Sequence, residues 1–326
     1  MALSLAEYAK QAYNEGNTLL GFIADNFLME SNVLQIAPWV TDKNLAVKIV
    51  SMKSLPTVGW RKINAAYSES TGGYDHKIES KYIFGHDIDV DVVLAKAGDT
   101  IGDVRQNQRA MSAKAMSFEF NDQFINGDPA GDEFKGISKR IDDIYADGYT
   151  NQKFDAGSAT TGRGLLYDTT DRHYFMDNVA KLIHVIAEHK PDALYMNSKM
   201  YLAFEAALRR ESVLKQTEDM FGRIINTYQG VALIDIGIKA DQSTEIITNT
   251  ETGSGGTDET SIYAVKYGAE QYLWGIQQEP LQVRDLGEVQ TKPVYRDRVE
   301  WVVGLAVNNP RSLARAYGFV ADNGAS

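Results

Sequence analysis

Five histidines and 44 carboxylates are the side chains in this 326-residue chain with the best claim to chemistry. His184 and His189 stand five apart on an expected helix, so they do not share a face as an i, i+4 zinc pair would. His76 and His86 fall in a strand-like stretch, and His173 opens the helix-rich part. Asp87, Asp89 and Asp91 alternate, and alternate residues of a strand share a face, so three carboxylates could converge on a cation. A helix-loop-helix calcium site would need glycine at its sixth position and glutamate at its twelfth. Those positions hold Val92 and Gly98, and the triplet reads as a solvated acidic strand face. The glycines at 127, 131 and 136 lack the Gly-Lys-Ser/Thr of a phosphate loop. There is no Gly-x-Ser-x-Gly turn, no dinucleotide fingerprint and no kinase set. No pair of carboxylates is spaced for acid/base work. No catalytic, cofactor-binding or metal residue is therefore predicted, and the sequence argues against an enzyme; a hydrolase with an unrecognised site is the alternative.

Composition narrows the classes further. With 44% hydrophobic and 24% charged residues, the chain can bury a sizeable core. A net charge of −11 and a pI near 5.0 oppose strong binding to phosphate backbones or to an anionic membrane. The absence of cysteine excludes disulfides, thiolate metal sites and cysteine nucleophiles. No run of 18 apolar residues exists. The first residues carry Glu7 and no basic leader before an apolar block, so no signal peptide is expected and the protein is expected to be intracellular when made.

The element that organises the chain is a helix predicted over residues 99–127. Ile101, Val104, Met111, Ala115, Phe118 and Ile125 form one apolar stripe, and Ala113, Met116, Phe120 and Phe124 lie beside it. Asp99, Thr100 and Asp103 mark its start, and Asn126, Gly127 and Pro129 its stop. Before it, residues 2–30 read as one or two amphipathic helices, resting either on the chain's own core or on a neighbouring subunit. Residues 43–95 read as strands: alternation over 46–52, a segment 57–63 with Val58, Trp60 and Arg61, a polar tip at 65–75, and a long alternating run over 77–93. Together they predict an extended hairpin, too polar to be buried on both faces and a liability as a free edge unless it lies across another molecule. After the helix come a turn, a short strand-like piece at 134–137 and a surface loop over 146–170. An α/β pattern follows: a helix over 174–189, a strand at 193–196, a helix over 199–210 capped by Asn197 and Ser198, and a strand over 231–238. A loop at 250–259, a strand pair over 261–276 and strands over 281–288 and 294–307 complete the chain.

This order resembles the major capsid protein of tailed bacteriophages, the HK97 fold. SNVLQIAPWV (31–40) looks like the end of the N-terminal arm, residues 54–91 like the extended loop, and residues 99–125 like the spine helix. FINGDPAGDEFKGI looks like the family's helix-end turn, DALYMNSKMYLAFEAALRR like the axial strand and helix, and RDRVEWVVGLAVNNPRSLARAYGF like the last peripheral strand. The resemblance implies an α+β chain divided into arm (1–43), extended loop with flanking peripheral strands (44–95), spine helix and peripheral domain (96–170), axial domain (171–280) and return strands to the peripheral domain (281–326). It implies a structural, self-assembling subunit without catalysis or cofactor. Hexamers and pentamers would form an icosahedral virion shell in the host cytoplasm, with double-stranded DNA contacted weakly and no membrane. Because an arm-like helix begins at the first residues, scaffolding is expected from a separate protein, with a separate portal. An encapsulin-like compartment is the alternative within the fold; a tail or decoration protein is the third class.

Overall fold

The computed structural model describes residues 31–96, 104–156, 169–218, 224–253 and 256–320, together with Lys10, Asn14, Ile23 and Phe27 of the N-terminal stretch. In chain order its elements begin with α1 (Asn32–Ile36), β1 (Trp39–Thr41), β2 (Ala46–Ser54), β3 (Gly73–Ser80), β4 (Tyr82–Asp91) and α2 (Val92–Lys96). Then come α3 (Val104–Asn126), α4 (Ile137–Ala146), β5 (Lys153–Asp155), α5 (Thr169–Val185), β6 (Ala193–Met196) and α6 (Ser198–Arg210). The remainder is strand: β7 (Lys215–Glu218), β8 (Ile224–Tyr228), β9 (Val231–Asp235), β10 (Glu251–Gly253), β11 (Gly256–Val265), β12 (Leu273–Gln277), β13 (Gln282–Glu288), β14 (Val294–Val307) and β15 (Leu313–Phe319).

These strands make two mixed sheets and one hairpin. The larger sheet runs β5-β15-β11-β6-β9-β8-β7 with β10 on β11; the smaller runs β1-β12-β14-β13 with β4 also on β14; β2 and β3 pair only with each other. The larger sheet is covered on both faces. Leu194 and Met196 of β6 point to a core shared with Phe175, Leu182 and Phe204 of α5 and α6, while Ala193 and Tyr195 join a second core with α3 and α4. That is why β6 reads as an unbroken apolar run, as a strand buried on both faces does. The last strand, β15, pairs with β11 in this sheet, so only part of residues 281–326 returns to the smaller one.

The long helix exists over 104–126, and its expected cap at residues 99–103 lies outside the described residues. Its core stripe is the second of the two predicted. Ala113, Met116, Phe120 and Phe124 are buried, whereas Met111 is 64% exposed and Phe118 is half-buried under Lys114. The aromatic centre decides this. Phe120 meets the rings of Trp301 at 5.7 Å, Phe134 at 5.6 Å, Trp39 at 6.1 Å and Phe27 at 6.2 Å. A wheel turned to bury Met111 would lose all four contacts. Trp39 needs the bare backbone of Gly275, where a Cβ would lie 2.1 Å from its ring. Of the two readings for the N-terminal helices, the described residues Ile23 and Phe27 favour the chain's own core; both are buried in it. Ser117 Oγ donates to Phe27 O at 2.8 Å and Ser31 Oγ to Asn121 Oδ1 at 2.6 Å, fastening this end of the arm to α3.

Three local expectations are corrected. The piece at 134–137 is a turn leading into α4, not a strand. Phe134 tucks under Phe120, Gly136 crosses Gly127 with 2.9 Å between its N–H and Gly127 O, and Ile137, Ile141 and Ile144 then follow helical spacing. The strand pair over 261–276 does not pair: β11 stays in the larger sheet, residues 266–272 cross over, and β12 enters the smaller one. The run over 77–93 is two strands. At Lys81 the chain leaves the hairpin, and β4 pairs with β14 from Tyr82–Val303 to Asp91–Val294.

Candidate assembly surface

The hairpin is anchored at its root and free at its tip. Ile49 of β2 packs with Trp274, Ile276 and Ala306 on the outer face of the smaller sheet, the face opposite α3. Lys81 is buried where the hairpin joins β4. Its ammonium donates to the carbonyls of Asp42 and, at 2.7 Å, Asn44, and its N–H reaches Leu45 O at 2.8 Å. Burial pushes the Lys81 pKa down, opposed by the nearby Asp42 carboxylate. Arg140 of α4 forms the second anchor. It is 6% exposed, grips Glu79 of β3 with both ends of its guanidinium at 2.6 and 2.9 Å, and also donates to Leu305 O at 2.8 Å and Lys135 O at 2.9 Å. Lys77 adds an exposed ion pair to Asp147 at 3.1 Å.

Beyond the strands, residues 55–72 form an ordered tip without regular structure. Thr57 N–H donates to Ser70 Oγ at 2.8 Å, Gly73 N–H to Ser54 Oγ at 3.1 Å, and Ala65 N–H closes a turn on Lys62 O at 3.1 Å. Asn64 takes the left-handed conformation this turn requires, with φ of 66°. The tip expected from sequence at 65–75 is therefore longer and starts earlier, and the segment 57–63 is part of it rather than a strand. It holds Leu55, Val58, Trp60, Ile63 and Tyr67 out into solvent, and Trp60 is completely exposed at 106%. Scattered apolar side chains on a surface are ordinary; five within thirteen residues on one projecting loop mark an interaction surface.

The residues singled out for chemistry are engaged otherwise. Asp87 and Asp89 do not converge with Asp91. They face Arg298 and Arg296 across the β4–β14 register, with bidentate contacts of 2.6 and 2.8 Å and of 2.6 and 2.6 Å. Hydrogen bonds from these guanidiniums hold both carboxyls below their usual pKa. Asp91 accepts from Val93 N–H at 2.7 Å, at the start of α2. The acidic strand face is solvent-facing, as expected, and it also forms a cross-strand ion-pair ladder. His184 and His189, expected apart, stack at 3.7 Å between ring centroids because α5 stops at Val185 and Glu188 and His189 turn to positive φ. His86 lies 2.7 Å from Ser112 Oγ. Among the described residues no group of three or more potential metal ligands is found, and no helix is long and apolar enough to cross a membrane. Sequence reasoning missed Lys81, Arg140 and Asp297. Asp297, 1% exposed, receives Arg105 at 2.7 Å and Arg109 at 2.8 and 3.0 Å, pinning the first turns of α3 to β14. No local pattern in the chain could have pointed to any of the three.

Comparison with known proteins adds to this geometry. The family described as Major capsid protein GP7 matches residues 20–170, which hold α1 through β5 with the hairpin and the long helix. Among solved structures, the holo-SrpI encapsulin complex from Synechococcus elongatus PCC 7942 superposes with a TM-score of 0.60 at 16% identity, covering 89% of this chain and 87% of that one. The chain has the HK97 capsid fold. A structure from Mycobacterium phage Bobi matches this HK97-type chain with a TM-score of 0.59 at 11% identity over 88% and 89% of the two chains. The capsid of a native GTA particle does so at 0.55 and 17% identity, again over 88% and 89%. No curated protein matches the chain in sequence. By family match and by fold, the chain is similar to shell-forming proteins.

Proposed function

We propose that this chain is the major capsid protein of a tailed phage, forming pentamers and hexamers of an icosahedral shell around double-stranded DNA. The observation that carries the reading is the capsid family match over residues 20–170, the part of the HK97 fold that contains the projecting hairpin. A free apolar tip is stable in an assembly that covers it, and each subunit of such a shell gains stability from its neighbours. On this reading the subunit has no catalytic role. Residues 1–43 serve as arm, 44–95 as extended loop with flanking strands, 96–170 as spine and peripheral region, and 171–280 as axial region; residues 281–326 serve both sheets through β14 and β15. Separate scaffolding and portal proteins guide closure, assembly takes place in the host cytoplasm, and the acidic chain contacts packaged DNA weakly.

The likeness to an encapsulin supports a second reading, a protein compartment of the same shell type. Electron microscopy of purified particles tests both. Closed icosahedral shells are expected, and DNA inside them identifies a capsid, whereas a protein cargo identifies a compartment. A protein that remains a monomer or dimer at every concentration and ionic strength, with its scaffold supplied, would overturn both.

A further inference from the structure

The outer face of the smaller sheet carries a cavity with a chemistry that mirrors the hairpin tip. On β4 and β14, Ile83 and Val302 lie directly opposite each other, and they point away from α3 because their neighbours Val303 and Trp301 point toward it. With Pro280 they make the apolar lining of an open cleft of about 320 Å³. Glu279, Gln282 and Glu300 also line it. Ile83 is among the most exposed large aliphatic side chains of the body. A cleft of this size, at the bottom of the ~300–1,000 Å³ range of binding clefts, suits one large aromatic side chain.

We infer that this cavity is the socket for Trp60 of a second copy of the chain, with Arg61 and Lys62 of the incoming tip set against Glu279 and Glu300. The inference rests on the shell reading and supplies the docking site for its hairpin. Three features commit it to a second copy. The tip offers a completely exposed indole beside two cations, and the socket offers apolar side chains rimmed by Glu279 and by Glu300, which Arg284 already pairs. An aromatic anchor in a pocket beside an arginine is the usual composition of an interface hot spot. Finally, the hairpin's own direction forbids self-insertion. Its root at Lys81 adjoins Ile83 in sequence, while Ser54, Leu55 and Tyr74 at its far end line a groove with Pro310 and Arg311, beyond the C-terminal end of β14. Eight residues of β3, at ~3.3 Å each, carry the tip some 26 Å from its own socket. The contact therefore joins two different patches on two copies, and where each copy passes its tip to the next it closes into a ring.

The chain has no cysteine, which permits a direct test. A Cβ at Gly59 would meet open space, and Gln282 is exposed at the rim of the socket. A Gly59→Cys, Gln282→Cys variant, assembled and then mildly oxidised, should give a ladder of covalent multimers on a non-reducing gel. Gly59→Cys paired with Met111→Cys on the outer stripe of α3 should give none. Glu279→Lys alters an exposed residue, so folding is retained, and it should raise the assembly threshold about tenfold. Adding Arg61→Glu to the same chain should lower it again. Trp60→Ala and Val302→Glu chains should each fail to form shells yet join as 1:1 dimers when mixed, since one retains the socket and the other the tip. Wild-type shells with no cross-link from position 59 to 282 and an unchanged threshold in Glu279→Lys would overturn the socket while leaving the shell reading intact. Cross-linking to position 111 would move the tip to α3, and absence of any wild-type assembly would overturn both.

Discussion

Arg140 ties hairpin, helix and sheet together. It is almost wholly buried, and three of its partners, Glu79, Leu305 and Lys135, come from β3, β14 and the turn before α4. Removing one member of a buried pair strands the other charge without compensation, at about 3–5 kcal/mol. Arg140→Ala should therefore lower the urea-unfolding free energy of the unassembled subunit by about that amount; a loss below ~1 kcal/mol would mean that the clamp is solvated. His86 makes a different prediction. Partial burial of its ring depresses its pKa below the ordinary histidine value, an effect the charge of Asp87 partly offsets, and its Nε2 faces Ser112 Oγ at 2.7 Å. The unfolded chain then takes up a proton before the folded one does. Stability from this group is complete above about pH 6.5 and falls as the pH drops toward the folded pKa. Thermal melts of His86→Gln should show a shallower decline across that window than the wild type.

At the scale of elements, α3 is held by two unlike devices. Its C-terminal half packs an aromatic cluster, and its N-terminal half, where the buried stripe gives out, is fixed by Arg105 and Arg109 on the buried Asp297. The two phenylalanines at 118 and 120 separate the predicted stripes. Phe120→Ala should cost about 3–5 kcal/mol because it opens a cavity among five aromatic rings, whereas Phe118→Ala, on the half-buried side, should cost well under half of that. Comparable losses in chemical denaturation would place the helix in a different rotation. The hairpin is built on the opposite principle. Its root spends buried charge on position, through Lys81 and Arg140, and its tip buries nothing.

For the molecule as a whole, net charge opposes assembly. On the shell reading each subunit carries −11, so like-charge repulsion between copies grows with every addition to the particle. At ~0.15 M salt the Debye length is ~8 Å, and raising the ionic strength shortens it further. The threshold concentration for particle formation, followed by light scattering, should fall as sodium chloride rises from low to physiological levels. A threshold that rises with salt throughout would mean that attraction between charged rims outweighs the general repulsion.

Element types were legible where the signal is local. Apolar spacing marked the long helix, Asn197 marked the cap of α6 through its bond to Met200 N–H, and the unbroken run at 193–196 marked a strand covered on both sides. Their order along the chain led to the HK97 fold, because loops, helix and α/β region follow one another whatever their contacts. Rotation, register and sheet membership were not legible, since each depends on partners distant in sequence. Whether Phe118 or Phe120 faced inward was settled by Trp39 and Trp301. The run over 77–93 alternates in both halves, but its inward positions change from odd to even across Lys81, a one-residue shift that only Asp42, Asn44 and β14 impose. The partners of Asp87 and Asp89 were not legible because Arg298 and Arg296 stand more than two hundred residues away. Composition and periodicity determined what kinds of element this chain forms; only the tertiary structure decided which of their faces meet, because a side chain's burial is a property of the pair in contact and not of either residue alone.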